Sequence, residues 1–151
     1  MGRKGWVKGD FLRIDLGSGS FAFARVLDFP LVLFYDALAE KRLSINQIVA
    51  SRDLFKIWVM KSTFSSKKWE VIGNSPLDAS LFESPVFFKV DPISKKYSLY
   101  QGGAEVSACR EQCEGLERAA VWDPVHVEDR LRDYFNGVPN KWVESLRLPI
   151  K

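Results

Sequence analysis

One histidine and two cysteines are all that this 151-residue chain offers to a transition metal. Cys109 and Cys113 need two further ligands to complete a tetrahedral zinc site, and His126 supplies at most one of them. A binuclear hydrolytic centre needs several histidines beside its carboxylates, so it is excluded on the same ground. No metal and no cofactor is expected. No apolar run approaches the roughly 20 residues that cross a bilayer, and Met1 to Val7 lacks the apolar stretch of a signal peptide. The chain is therefore expected in the cytoplasm, away from membranes, with both thiols reduced.

Motifs for catalysis are equally scarce. Gly17-Ser18-Gly19-Ser20 lacks the spacing and the following Lys-Ser/Thr of a phosphate-binding loop. It is also too short for a nucleophile elbow, and it falls between two strands rather than between strand and helix. Cys113 has Arg110 and Arg118 near it in sequence to stabilise a thiolate, but burial as a small apolar residue is the commoner fate. His126 lies one helical turn from Asp123 and from Asp129, which reads first as a helix-surface histidine beside carboxylates. No catalytic residue is assigned. Basic residues come as Lys41-Arg42, Lys67-Lys68 and Lys95-Lys96 beside turns, without a nucleic-acid-binding motif, so a nucleic-acid partner is not expected.

What the chain has is apolar and aromatic material. Hydrophobic residues make up 46% and aromatic residues 13%, five of them Trp, enough for one sizeable core and a single domain over residues 1–151. Phe11 to Leu16 and Phe21 to Leu27 flank the Gly-Ser turn as a hairpin, and Pro30 to Tyr35 reads as a strand buried on both faces. These three form a meander. Ser44 caps a short helix carrying Ile45, Ile48 and Val49. Leu54 to Met60 and Trp69 to Gly73 read as a longer hairpin, followed by strands at Val86–Val90 and Tyr97–Tyr100.

After Gly103 the composition turns acidic and helical, with a helical turn expected over Glu111–Glu117 and a last strand over Ala119–Trp122. One helix is then framed at both ends. Asp123 sits at the N-cap, Pro124 at the first helical position and Gly137 just past the end. Val127, Leu131, Tyr134 and Phe135 form its apolar stripe, while Glu128, Asp129, Arg130, Arg132 and Asp133 face away. Asn140 to Leu146 closes the chain as a short helix. The fold expected is α+β, a curved antiparallel sheet or partly open barrel capped by carboxy-terminal helices.

Charge is unevenly placed. Residues 1–104 hold 15 Lys and Arg against 10 Asp and Glu, whereas residues 105–133 hold 4 against 8, in a chain of net charge +3. The acidic segment is the one concentrated charge, so Glu114, Glu117, Glu128, Asp129 and Asp133 are the expected partner-binding residues. Trp58 and Trp142 are further candidates for surface anchors, given the enrichment of Trp at interface hot spots.

The carboxy-terminal segment from Cys113 to Arg147 is similar to the immunity protein 26 family of bacterial polymorphic toxin systems, when taken together with Gly9 to Leu16, Phe21 to Leu27 and Leu54 to Met60. The resemblance runs roughly from Gly9 to Arg147. It implies an immunity protein that binds and neutralises a cognate toxin domain by stoichiometric complex formation. Some relatives carry a phosphotriesterase label, and the alternative it implies is a small hydrolase acting on phosphotriesters. Many nuclease inhibitors are acidic, and the pI near 8.9 of this chain departs from that pattern. The toxin and the oligomeric state are not legible in the residues.

Overall fold

In the computed structural model, which describes residues 5–149, the amino-terminal alternation becomes a six-stranded sheet. The first four residues of the amino-terminal segment and the last two of the chain lie outside the described residues. β1 (Asp10–Gly17), β2 (Ser20–Val26) and β3 (Leu31–Ala39) are the expected meander. Its first turn is tight because Gly17 and Gly19 adopt φ of 87° and 77°, a region glycine enters without strain, on either side of Ser18 at 54°. Leu12, Ile14 and Leu16 of β1 join the core cluster on one side of the sheet, while Phe11 of β1, Phe23 of β2 and Leu31, Leu33 and Tyr35 of β3 join the cluster on the other. A sheet patterned in this way must be covered on both faces.

α1 (Ile45–Val49) is held by a capping box, in which the Ser44 hydroxyl accepts from the Gln47 N–H and the Gln47 side chain accepts from the Ser44 N–H. It lies against Gly73, where an added Cβ would come within 2.7 Å of the Ile45 Cδ1. β4 (Asp53–Val59) pairs with β3, but β5 (Trp69–Asn74) pairs with β1. The longer hairpin expected between them does not form. Residues 60–68 instead cross the sheet, and the 3₁₀ turn at Lys61–Ser65 sets the Phe64 ring 5.1 Å from Trp6 and 4.7 Å from Phe29. Trp69 joins the same cluster, 5.8 Å from Trp6 and 5.8 Å from Phe34. Enclosing these rings on the sheet face outweighs the local pairing that a short hairpin offers.

A second sheet covers the opposite face. β6 (Phe87–Val90), β7 (Tyr97–Gln101) and β8 (Ala104–Ala108) are antiparallel, and β9 (Glu117–Arg118) adds to β6 in parallel. β8 replaces the helical segment expected after Gly103. Gly102 and Gly103 at φ 57° and 88° make a two-residue hairpin turn, and Glu105 accepts from the Ser98 hydroxyl and pairs with Lys89. α2 (Arg110–Cys113) is correspondingly shorter and earlier than the turn expected over Glu111–Glu117. Trp58 stitches the two sheets together, with Phe87 at 4.5 Å and Tyr100 at 5.5 Å between ring centres.

β10 (Val121–Trp122) adds in parallel to β4 and completes the main sheet in the order β10-β4-β3-β2-β1-β5. The fold is α+β, with two mixed sheets that do not close into a barrel and with helices at the carboxy terminus. α3 (Pro124–Asn136) has the ends its sequence dictates. The Asp123 carboxylate accepts from the Val125 N–H at 2.8 Å, and Gly137 ends it at φ 70°. Its buried stripe is Val127, Glu128 and Leu131, with Phe135 partly buried, whereas Tyr134 is 40% exposed. Tyr134 therefore leaves the stripe and Glu128 enters it. α4 (Lys141–Ser145) follows, its N-cap Asn140 accepting from the Val143 N–H.

Candidate functional site

The five carboxylates expected to form one acidic face are dispersed by the fold. Glu128 is 2% exposed and accepts from the Trp69 indole N–H at 2.7 Å, with the Lys68 ammonium 3.7 Å from its other oxygen. The sequence pattern sets it on the solvent side of α3, but the Trp69 donor brought over by the crossing segment gives a carboxylate reason to turn inward. Asp129 and Asp133 fasten α4 to α3. Asp129 accepts from Trp142 Nε1 at 3.1 Å and from Arg132 at 2.6 Å, and Asp133 accepts from the Asn140 amide at 2.9 Å. Burial alone raises the Asp129 pKa, but the Trp142 and Arg132 hydrogen bonds, with the Arg132 and His126 charges, bring it below the ordinary carboxylate value.

Glu114 and Glu117 meet in a different place. They line a cleft of about 900 Å³ between β9, α2 and the carboxy-terminal residues 143–149, with Phe88 of β6 contributing from the small sheet. Arg110 donates to the Pro149 carbonyl at 3.0 Å and ties α2 to the tail across it. The walls carry three arginines and three glutamates, and their pairing decides the field. Arg110 lies 3.3 Å from Glu114, Arg147 lies 2.9 Å from Glu144, and Glu117 receives two bonds of 3.0 and 2.7 Å from Arg130 of α3. Arg130 is itself locked in place, 3.6 Å from the Phe55 ring centre and 5.0 Å from that of Trp122.

Arg118 is left over. Its guanidinium lies 5.3 Å from the centre of the Phe88 ring, its Nε is buried without a hydrogen bond, and no ion pair among the described residues involves it. Trp122, the second residue of β10, is 4% exposed, and its indole N–H is likewise unpartnered. Trp122 and Leu146 also line an adjoining groove of about 260 Å³, which Met60, Val121, His126 and Trp142 complete. His126 is stacked on Trp142 with ring centres 3.5 Å apart, so its ring packs rather than standing free over the carboxylates.

Reaction chemistry finds little purchase on these groups. Cys113 is fully buried, and burial pushes its thiol pKa up, so the thiolate a nucleophile requires is disfavoured. Its Sγ lies 3.5 Å from the Cys109 carbonyl. Among the described residues no three His, Cys, Asp or Glu side chains are grouped to hold a metal ion, and no helix is long and apolar enough to cross a membrane. The arrangement suits binding. Sequence reasoning reached the two glutamates of the cleft but missed Arg118, because the partner that removes Glu117 from it is Arg130, 13 residues away on another element.

A family model described as immunity protein 26 matches residues 7–99 of the chain. No curated protein and no solved structure matches it. The matched span holds β1 through β6 and ends within β7, and of the residues around the cleft it includes Phe88.

Proposed function

The chain belongs to the immunity protein 26 family, and from that premise we propose that it binds a cognate toxin domain in a stoichiometric complex and thereby neutralises it. The family match, over well more than half of the chain, carries this reading. The carboxy-terminal face supports it physically. A wide, open cleft with charged walls runs into a groove lined by Trp122, Trp142 and Met60, which is the mixture of aromatic, Met and Arg side chains over-represented in the cores of protein interfaces. Glu114 and Glu117 belong to this proposed surface as members of ion pairs, and Asp129 and Asp133 flank it as the residues that set α4. Glu128 does not reach it.

The test is to read the genes adjacent to the one for this chain, produce the toxin domain expected among them, and titrate it with the chain by calorimetry while following toxin activity. A one-to-one complex with loss of activity at equivalence is expected. Absence of binding, together with chelator-sensitive hydrolysis of a phosphotriester by the chain alone, would replace this reading with the hydrolase one.

A further inference from the structure

We infer that the cleft is a receptor for an acidic segment of a partner protein, with Arg118 as the anchor for one of its carboxylates; naming that partner as the toxin rests on the function proposed above. The inference starts from charge. Every other charged side chain on the cleft walls has an opposite charge within 3.3 Å, so the field of the cleft comes from the one cation that lacks a partner. A half-buried guanidinium gives up part of its hydration without recovering it from a carboxylate of its own chain. Its guanidinium carbon sits over the buried Phe88 ring, 5.3 Å from the centre. A guanidinium is a planar fork that suits bidentate recognition of a carboxylate.

The second observation is independent of the first. Trp122 is nine-tenths and more buried, its indole N–H has no acceptor, and it lies in the wall shared by the cleft and the apolar groove. Two buried donors without a partner, the Arg118 Nε and the Trp122 indole N–H, thus belong to residues that line the same cleft, in a protein whose other buried indole, that of Trp69, is paired. Size argues for a polypeptide over a single small anion. The cleft of about 900 Å³ continues into a groove of about 260 Å³, and at the groove's edge Met60 is 39% and Val121 52% exposed. An extended segment can set its acidic side chain on Arg118 and lay an apolar neighbour over Leu146 and Met60. A nucleic acid fits poorly, because a single unpaired cation neutralises one phosphate and not a chain of closely spaced ones.

This surface has the opposite sign from the one the residues suggest when counted along the chain. Within the segment that is net acidic by sequence, Glu114 and Glu117 on the cleft walls face Arg110 and Arg130, and the charged group of the cleft left over is a cation.

The experiment uses the intact protein and three probes, the capped tripeptides acetyl-Leu-Asp-Leu-amide and acetyl-Leu-Asn-Leu-amide, and inorganic phosphate. Each is titrated while the backbone amides and tryptophan indole N–H signals are followed by NMR. One anchor carboxylate with modest apolar cover corresponds to a dissociation constant on the order of 1 mM. The aspartyl peptide should move the Trp122 indole and the amides of Leu116, Glu117 and Arg118, and should bind roughly ten times more tightly than the asparaginyl peptide. Arg118→Gln should abolish that difference and Arg118→Lys should restore part of it. Equal responses to the two peptides, no response to either, or the same shifts produced by phosphate would each overturn the inference. The peptide comparison on the wild-type chain stands even if Arg118→Gln fails to fold. With the toxin domain, Arg118→Gln should weaken association by about 10- to 100-fold, as loss of a buried interface arginine does. A wild-type chain that binds the aspartyl peptide but not the toxin would sink the proposed function and leave the receptor standing, whereas full-strength toxin binding by Arg118→Gln would show that the cleft is not the toxin's site.

Discussion

Replacing Glu128 by Ala should destabilise the protein by about 2–4 kcal/mol, although the residue looks like a solvent-facing carboxylate in a helical wheel. The magnitude comes from two contacts. Deleting the carboxylate orphans the Trp69 indole N–H, which sits on a residue 5% exposed; an unsatisfied buried donor costs about 1–3 kcal/mol, and this one loses a charge-assisted bond of 2.7 Å. The Lys68 ammonium is 3.7 Å away on a side chain that is 60% exposed, so that pair adds less than about 1 kcal/mol. The void left by the side chain accounts for the remainder. Glu128→Gln keeps an acceptor for the indole and should cost about 1 kcal/mol or less, because losing a buried charge offsets the weaker bond. Trp69→Phe removes the donor instead, and the two changes should couple by about 1 kcal/mol or more in a double-mutant cycle. Urea unfolding at neutral pH measures wild type, the three single variants and the double variant, with a fall in midpoint at constant slope as the expected signature. A loss under half a kcal/mol for Glu128→Ala would refute the buried pair. So would a variant of native stability that binds the toxin poorly, since that result would return Glu128 to the surface.

Leu131→Ala should cost about 2–5 kcal/mol by the same assay, because Leu131 is wholly buried in the core between α3 and the main sheet; a loss of a few tenths would mean that the site can collapse or is not enclosed. In the native protein a thiol reagent should titrate one group, the exposed Cys109, while Cys113 reacts only on unfolding; two equivalents reacting at the same rate would contradict its burial. Asp129 sets an acid limb. Its pKa is depressed on folding, so its contribution to stability is present above the unfolded value near 3.8 and is lost as pH falls through the folded value. The stability gap between wild type and Asp129→Asn should therefore be widest at neutral pH and should shrink below about pH 4, and a gap that stays constant to pH 2.5 would remove the Trp142 and Arg132 bonds from the account.

Features fixed within one or two turns of chain were legible in the residues. The frame of α3 depends on Asp123, Pro124 and Gly137 acting on the nearest backbone groups, and the capping box of α1 on Ser44 and Gln47. Alternation in β1 to β3 states which side chains share a face, and the Gly-Ser tetrapeptide states where the chain reverses. The family resemblance rested partly on a carboxy-terminal segment, whereas the family match covers residues 7–99, the part that builds the main sheet.

Tertiary structure decided everything that depends on which element lies beside which. The cost of closing a loop rises only slowly with its length, so sequence separation does not choose a strand's partner. β5 passes its sequence neighbour β4 and joins β1 because the crossing segment encloses Phe64 and Trp69 on the sheet face. That crossing supplies the donor 59 residues from Glu128 that draws a carboxylate out of the polar face of α3. Arg130 reaches back to Glu117 once α3 packs on the sheet, which leaves the neighbouring Arg118 without a counter-charge. Counting charges along the chain gives the sign of a segment, but Coulomb attraction acts through space and short range, so the sign of a surface belongs to the pairs the fold makes.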